Sequence, residues 1–269
     1  MALVINTNIA SINAQRGLAG TENKLKVAME RLSSGLRVNS AKDDAAGLAV
    51  AAGMMNQARG MDVAIRNAND GLSLLQVADG ALSSMGDIMM RMRELAVQSL
   101  NGTYSDTDRA KLDAEYTELE SELTRMQTNV KFNGTALFGA SAVTLKLQVG
   151  ANSGETIDIT TTGVNVSGLG GVNTSIAAGS ALTALDTAID SVNTERAKYG
   201  ASMSRLDNVI VNLRTGYEAQ MASYSRIMDA DFARETANLS KAQILQQAGI
   251  AMVAQANQSQ VGAIALLQG

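Results

Sequence analysis

The chain of 269 residues contains no cysteine, proline, histidine or tryptophan. Without histidine and cysteine it lacks the Ser-His and Cys-His nucleophile pairs, metal sites with imidazole or thiolate ligands, and disulfide bonds. A chain of this length would ordinarily hold roughly 13 prolines. Because proline interrupts helices and isomerises slowly, its absence favours long uninterrupted helices. The composition excludes most common enzyme mechanisms and leaves only carboxylate or lysine chemistry open, so we expect a protein that is not an enzyme and has no cofactor or metal.

Aromatic side chains and net positive charge are also scarce. Aromatic residues make up 3% of the chain, whereas hydrophobic residues make up 46%. A core of small aliphatic side chains and methionine predicts thin seams between helices rather than one thick globular core. The net charge is −4, from 22 basic and 26 acidic residues. This balance argues against a nucleic-acid partner, which requires a basic face.

Charged side chains are absent from both ends of the chain. The first is Arg16 and the last is Lys241, after which 28 residues carry no charge. A membrane-spanning helix needs about 20 mainly apolar residues, but this run contains nine amide or hydroxyl side chains. We therefore expect no membrane span, and no cleavable signal peptide because the N-terminus lacks a basic region. The neutral ends instead predict a buried, hydrogen-bonded protein–protein surface that becomes ordered on association.

Apolar residues recur in alternating steps of three and four through residues 182–227. This is the spacing of a coiled-coil seam, sustained for about six heptads. A single helix of this extent is roughly 70 Å long. The seam consists of Leu182, Leu185, Ile189, Val192, Arg196, Tyr199, Met203, Leu206, Ile210, Leu213, Tyr217, Gln220, Tyr224 and Ile227.

Two shorter seams precede the long one. Between them lie residues 101–106, where an Asn-Gly turn signal is followed by a serine that can cap a helix. This arrangement predicts an antiparallel pair of helices with the long helix packed along it, giving an elongated rod. The two seams are Leu74, Ala78, Ala81, Met85, Ile88, Met92 and Leu95, and then Leu112, Tyr116, Leu119, Leu123, Met126 and Val130.

Residues 141–180 differ from the helical remainder. Residues 143–149 and 155–160 alternate with period two and flank a glycine-containing turn at 150–154. Such a pattern predicts a β-hairpin. Residues 163–180 are rich in glycine, serine, threonine and alanine, and we expect an exposed irregular loop there.

Two acidic motifs invite a metal-site or proton-transfer interpretation. Residues 229–231, Asp-Ala-Asp, open like a calcium loop but lack the glycine and the final glutamate at the required spacing. Adjacent carboxylates on a helix, as at Asp43 and Asp44, point in different directions. Both motifs instead predict helix starts, where a carboxylate accepts hydrogen bonds from free backbone N–H groups.

A charged cluster of Arg91, Arg93 and Glu94 lies beside the second seam. Its spacing favours a solvated helix face with Glu118, Glu120 or Arg125 nearby. The alternative is a patch that recognises a partner protein.

Five segments resemble bacterial flagellins, and together the resemblance covers about residues 1–160 and 181–269. They are MALVINTN at 1–8, ERLSSGLRVNSAKDDAAGLA at 30–49, RMRELAVQ at 91–98, DADFARETANLS at 229–240 and QILQQAG at 243–249. The resemblance is to a short form that lacks the large outer domains of longer flagellins. It implies a mainly α fold of long coiled-coil helices with a small β-hairpin, in which the two ends of the chain pair.

The resemblance also implies a division into five segments. Residues 1–41 form an N-terminal filament-core helix that pairs with residues 229–269. Residues 42–140 and 181–228 form rod helices, and residues 141–180 form the β-hairpin and a variable surface loop. The implied filament-core contacts are Ile5, Ile9, Ile12, Ile244, Leu245, Ala248, Met252, Val253, Val261, Ile264 and Leu267.

By the same resemblance, the chain is secreted unfolded and self-assembles into the extracellular flagellar filament used for motility. The implied partners are further copies of the chain, an export chaperone, the filament cap and hook-associated proteins, and an animal innate immune receptor. Arg91, Leu95 and Glu115 match the receptor-binding and subunit-interface positions. A hook–filament junction protein, which shares these end sequences, is the alternative function; an adhesin or immune ligand is another.

Overall fold

The computed structural model describes residues 7–138, 142–164, 166 and 168–265. Within these residues the chain forms five helices and two small antiparallel sheets, which confirms the mainly α fold class. The helices are α1 (Ile9–Ser34), α2 (Ala45–Leu100), α3 (Asp106–Asn129), α4 (Ser175–Met228) and α5 (Phe232–Ala265). The strands are β1 (Lys131–Phe132), β2 (Thr135–Ala136), β3 (Val143–Gln148) and β4 (Thr156–Thr161).

The chain folds as two compact units. The terminal unit comprises the described residues up to Asn56 and from Ala219 onward, and the central unit spans Gln57–Glu218. Each of the helices α2 and α4 has one part in the terminal unit and the other part in the central unit. The segment limits implied by the flagellin resemblance, at residues 41, 140, 180 and 228, stay a prediction.

Helix ends lie where capping residues occur in the sequence. Gly35 adopts a left-handed φ of +71° and its N–H donates to Arg31 O, which ends α1. The Asp44 carboxylate accepts from the N–H of Gly47 at the start of α2, and Asp231 accepts from Ala233 N in α5. Both acidic motifs are therefore helix caps, as predicted.

The core of the central unit is built from the predicted seams. Leu185, Val192 and Leu206 of α4 are buried against buried seam residues of α2 and α3. The one arginine of the long seam, Arg196, donates to the Asp79 carboxylate of α2 at 2.8 Å. Helix α4 has 54 residues and is about 80 Å long. It is longer than predicted because it begins seven residues before the first predicted seam position.

The predicted β-hairpin is present. Strands β3 and β4 pair antiparallel, with Leu145 opposite Ile159 and Leu147 opposite Ile157. The apolar side chains of β4 are buried, as the period-two pattern indicates. Leu147 packs so closely on α2 that its Cδ1 lies 2.1 Å from the position a Cβ would take at Gly71. A side chain at Gly71 would force the end of the Leu147 side chain to move.

A second, two-residue hairpin follows α3 and was not predicted. Strands β1 and β2 pair Lys131 with Ala136 and Phe132 with Thr135. The turn between them is Asn133-Gly134, with φ values of +47° and +81°. Asn-Gly with two positive φ values is the preferred sequence of a tight hairpin turn.

The expectation of an exposed irregular loop at residues 163–180 is wrong in part: the described residues before 175 are irregular, but their apolar side chains are buried. Residues 175–180 belong to α4, and Thr174 caps that helix by accepting from Ala177 N. The residues before it form a connector, residues 162–174, whose apolar side chains are buried. They are Val164, Val166, Leu169 and Val172, each at most 5% exposed. Apolar burial therefore outweighs the loop-like composition of this segment.

Side chains of the surrounding helices bind the backbone of the connector. Tyr116 OH donates to Leu169 O at 2.9 Å, and Ser99 Oγ donates to Val172 O at 2.5 Å. The N–H of Val172 donates to the Asp113 carboxylate at 2.6 Å. These bonds satisfy backbone groups that would otherwise be buried without partners.

Candidate assembly surface

Helices α1 and α5 pack against each other in the terminal unit, which confirms the implied pairing of the two ends. Asn8 Nδ2 donates to Ala256 O at 2.9 Å, and the buried Ser11 Oγ donates to Asn257 Oδ1 at 2.8 Å. Gly249 lets α5 approach the side chain of Leu18. The charge-free ends are thus joined through amide and hydroxyl groups, so each end serves as the partner of the other.

Large apolar side chains remain exposed on the outer faces of both helices. Ile9 and Met252 are 59% and 63% exposed, and Ile244 is 65% exposed. Ile12, Leu245 and Ala248 are also exposed, whereas Val253 is half-buried. The remaining implied filament-core residues, Ile5, Val261, Ile264 and Leu267, lie outside the residues whose side chains are described. The implied filament-core side chains that are exposed on α1 and α5 are therefore available to partners outside the chain.

A short junction joins α1 to α2 beside the junction that joins α4 to α5. Leu36 pairs with Asp229 in an antiparallel bridge, and Ala230 N donates to Gly35 O at 2.9 Å. Val38 and Met228 are buried there with Ala51 of α2 in a small apolar cluster. The two junctions, around residues 35 and 230, are thus joined by backbone hydrogen bonds and by this apolar cluster.

Carboxylates in this junction are fixed by local hydrogen bonds. Backbone N–H groups of Ser40 and Asn39, together with the Ser40 hydroxyl, hold the pKa of Asp43 below its usual value. Glu235 is buried and lies 3.9 Å from Arg31. No group of acidic residues in the described part of the chain has the arrangement of a metal site.

The central unit carries the second candidate surface. Arg91 Nε donates to Glu115 at 3.0 Å, and Arg91 Nη1 donates to Glu94 at 2.9 Å. These carboxylates, Glu115 foremost, raise the pKa of Arg91. Arg91 and Glu115 are about half exposed, but Leu95 is buried at 1% exposure. Leu95 therefore does not belong to the exposed patch: it occupies the helical seam.

The neighbours predicted for this patch also differ from the observed ones. Arg93 pairs with Asp186 of α4 at 2.6 Å, and Arg125 pairs with Glu122 within its own helix. The carboxylates on Arg91 are Glu94 and Glu115 rather than Glu118 or Glu120. The spacing of residues along α2 indicated a charged face but could not specify its partners on α3 and α4.

Sequence comparison places this architecture among known proteins. The N-terminal helical region of bacterial flagellin matches residues 5–142, and the C-terminal helical region of bacterial flagellin matches residues 182–267. The chain belongs to the bacterial flagellin family. Flagellins are structural proteins of the extracellular flagellar filament, so the chain is a filament subunit and not an enzyme.

Individual relatives support the same assignment. The flagellin of Halalkalibacterium halodurans is 42% identical, over 99% of this chain and all of the relative. The flagellar filament 33 kDa core protein of Treponema phagedenis is 37% identical over the same shares. A crystal structure of Bacillus cereus flagellin matches with a TM-score of 0.52 and 34% identity, covering 55% of this chain and 88% of that one. These names favour a filament subunit over a hook–filament junction protein.

Some relatives in the family are much longer. Flagellin A of Vibrio anguillarum is 33% identical over an alignment of 379 positions that includes all of both chains. With 269 residues, this chain is a short form of flagellin. Among the described residues, no helix combines the length and the apolar character needed to cross a membrane.

Proposed function

We propose that copies of this flagellin polymerise through the exposed apolar faces of α1 and α5. The observation that carries the proposal is the exposure of large aliphatic side chains on helices that already pair within one chain. Ile9, Ile244 and Met252 are each more than half exposed. Full burial of one such side chain contributes about 1.5–3 kcal/mol. Burial of several of them per copy contributes to association and offsets part of the cost of ordering the copies.

The amide side chains beside the apolar residues suit a buried interface. Gln246, Gln247 and Gln255 lie on the same uncharged stretch as Ile244 and Met252. Amide groups can exchange hydrogen bonds with water for hydrogen bonds with a neighbouring copy, so their burial carries no charge penalty. Copies that meet through two different faces build an open helix, which is the geometry of a filament, when the rotation between neighbours does not close a ring.

The absence of cysteine and proline supports secretion of the chain in an unfolded state. Without cysteine the chain cannot cross-link, and without proline it avoids slow isomerisation during refolding. We further propose that an export chaperone binds the uncharged apolar face of α5 before assembly. The filament cap and hook-associated proteins are proposed to contact the terminal helices at the two ends of the filament.

The exposed pair of Arg91 and Glu115 is proposed as a second contact between copies and as the surface that an innate immune receptor recognises. Its support is the half-exposed ion pair on a helix face next to the exposed Met90 and Val97. The buried Leu95 supports the shape of this face from beneath and makes no direct contact in the proposal.

Two variants test the polymerisation surface. A chain lacking residues 242–269 should keep the helical central unit but form no filaments, as seen by circular dichroism and electron microscopy. A full-length chain with Ile244→Gln and Met252→Gln should polymerise poorly for the same reason. The matched control is Ile176→Gln with Val211→Gln, which alters side chains of similar exposure in the central unit.

The outcome that contradicts the proposal is normal filament formation by the shortened chain or by the α5 double variant. Polymerisation of the pure wild-type protein into long filaments also separates a filament subunit from a junction protein, which would not form long filaments alone.

A further inference from the structure

A groove of about 470 Å³ lies between α1 and α5 in the terminal unit. Lys24 and Val27 line it from α1, and Lys241 and Leu245 line it from α5. Val27 and Leu245 are 39% and 43% exposed, so the groove offers apolar walls between two cations. A ligand that suits it combines an apolar group with negative charge.

Lys24 and Lys241 have no ion-pair partner among the described residues. The ion pairs of the described residues are unevenly distributed between the two units. Nine lie in the central unit. In the described part of the terminal unit the one ion pair is that of Arg31 and Glu235, at 3.9 Å. Lys24 and Lys241 are thus available for contacts with another molecule.

A complementary group lies on the same unit. Phe232, the first residue of α5, is 59% exposed. The exposed Asp229 and Asp231 precede it, and Asp231 uses Oδ1 to cap α5. Asp229 and Asp231 line a pocket with Arg31, Arg37 and Arg234, but no ion pair joins them to these arginines among the described contacts. This segment therefore presents an aromatic residue next to two carboxylates in sequence, which is the chemistry that the groove accepts.

Phe232 cannot enter the groove of its own chain. It lies six residues before Asn238, the first residue of α5 in the lining of the groove, and nine and ten before Lys241 and Ala242 at its centre; six to ten residues of rigid helix span about 9–15 Å, and Phe232 itself does not line the groove. We propose that Phe232, with Asp229 and Asp231, docks in the groove between Lys24 and Lys241 of a neighbouring copy. This inference rests on the proposed polymerisation and assigns one of its contacts.

The contact has the properties that a filament requires. Groove and aromatic segment are different surfaces of one chain, so each copy can bind one neighbour through each surface, and such contacts build an open helical filament when the rotation between copies does not close a ring. A phenylalanine side chain can bury about 150–250 Å² in such a contact. The lysines and aspartates add complementary charge, which fixes the orientation of the two copies.

Charge reversal tests the contact. Lys241→Glu alone and Asp229→Lys alone should each raise the critical concentration for polymerisation about tenfold or more. A chain carrying both changes restores an opposite-charge pair and should return to within about threefold of wild type. Lys26→Glu, which alters an exposed lysine outside the groove, should change it less than twofold. Circular dichroism of each monomer checks that the helices are retained.

Cross-linking gives a second, direct readout because the chain has no cysteine of its own. A chain with Val27→Cys and Ala233→Cys, which keeps Phe232 and places a thiol on its exposed neighbour, is treated with a short thiol-reactive cross-linker and should give ladders of covalent oligomers from filaments but not from dilute monomers. The control is Met29→Cys with Ala233→Cys, since Met29 is exposed on α1 but does not line the groove.

Three results would overturn the inference: Lys241→Glu behaving like Lys26→Glu, no rescue in the double charge reversal, or equal ladders from the two cysteine pairs. Each leaves wild-type polymerisation intact and so leaves the proposed function standing. If the wild-type chain itself forms no filaments, the proposed function and the inference fail together.

Discussion

Replacing Gly249 by valine tests how closely α1 and α5 must pair before the chain can polymerise. A Cβ at Gly249 would lie 3.2 Å from Leu18 Cδ1 and 3.7 Å from Leu18 Cβ. The same atom at Gly20 of α1 would meet nothing within 4 Å. Gly249→Val and Gly20→Val gain the same few tenths of a kcal/mol in helix propensity. Only Gly249→Val also overpacks the helix pair, which costs about 1–3 kcal/mol.

The assay is the critical concentration of each purified variant, measured by sedimentation of filaments. Because the neutral ends are expected to become ordered on association, this loss of about 1–3 kcal/mol falls on the assembled state and corresponds to a rise of about 5- to 150-fold in the critical concentration of Gly249→Val. Gly20→Val should stay within about twofold of wild type. Equal critical concentrations for the two variants would refute the reasoning, because they would show that the close approach at Leu18 is not needed for assembly.

Three further predictions concern the central unit. Tyr116→Phe should lower the free energy of unfolding by about 1–3 kcal/mol, because it leaves the buried Leu169 carbonyl unpaired. The control, Tyr217→Phe at a half-exposed position, should lower it by less than about 0.5 kcal/mol, and thermal unfolding compares the two variants. Burial raises the pKa of Tyr199 to about 12, whereas a tyrosine in the unfolded chain has a pKa of about 10. The unfolded state therefore loses its proton first, and the free energy of unfolding falls as the pH rises from about 10 to 12. Tyr199→Phe should make that fall shallower in unfolding curves recorded at each pH. Ser105→Ala removes the cap that accepts from Asp108 N and should cost about 1 kcal/mol, seen in the same thermal assay; an unchanged melting temperature would contradict it.

The long helices could be predicted because their seams repeat over many turns. A period sustained through residues 182–227 has few alternative explanations, and Arg196 fits it through its pair with Asp79. Helix ends were equally accessible, since Gly35 and the acidic motifs are strong local signals. Period and capping are local properties, so they can be read without knowing the tertiary contacts.

The connector could not be predicted because its burial depends on distant side chains. Glycine, serine and threonine dominate its composition, yet Val164, Leu169 and Val172 are buried. The groups that bind its backbone, such as Tyr116 OH, lie tens of residues away in sequence. The small hairpin at residues 131–136 is different: the Asn133-Gly134 turn signal was present and could have revealed it.

Leu95 illustrates a conflict between two interpretations of one residue. The heptad spacing places it in the α2 seam, whereas the flagellin resemblance places it with Arg91 and Glu115 among the receptor-binding and subunit-interface positions. Its 1% exposure agrees with the seam. A resemblance transfers a position from one protein to another, but whether the side chain reaches the surface depends on the packing of this chain.

Hydrogen exchange of the α1 and α5 amides, compared between monomer and filament, tests the central claim most directly. If the exposed faces of these helices become buried between copies, their amides should exchange at least about tenfold more slowly in filaments, while α2 amides of the central core change little. Equal and strong protection of α1 and α5 in the dilute monomer and in the filament would contradict the account.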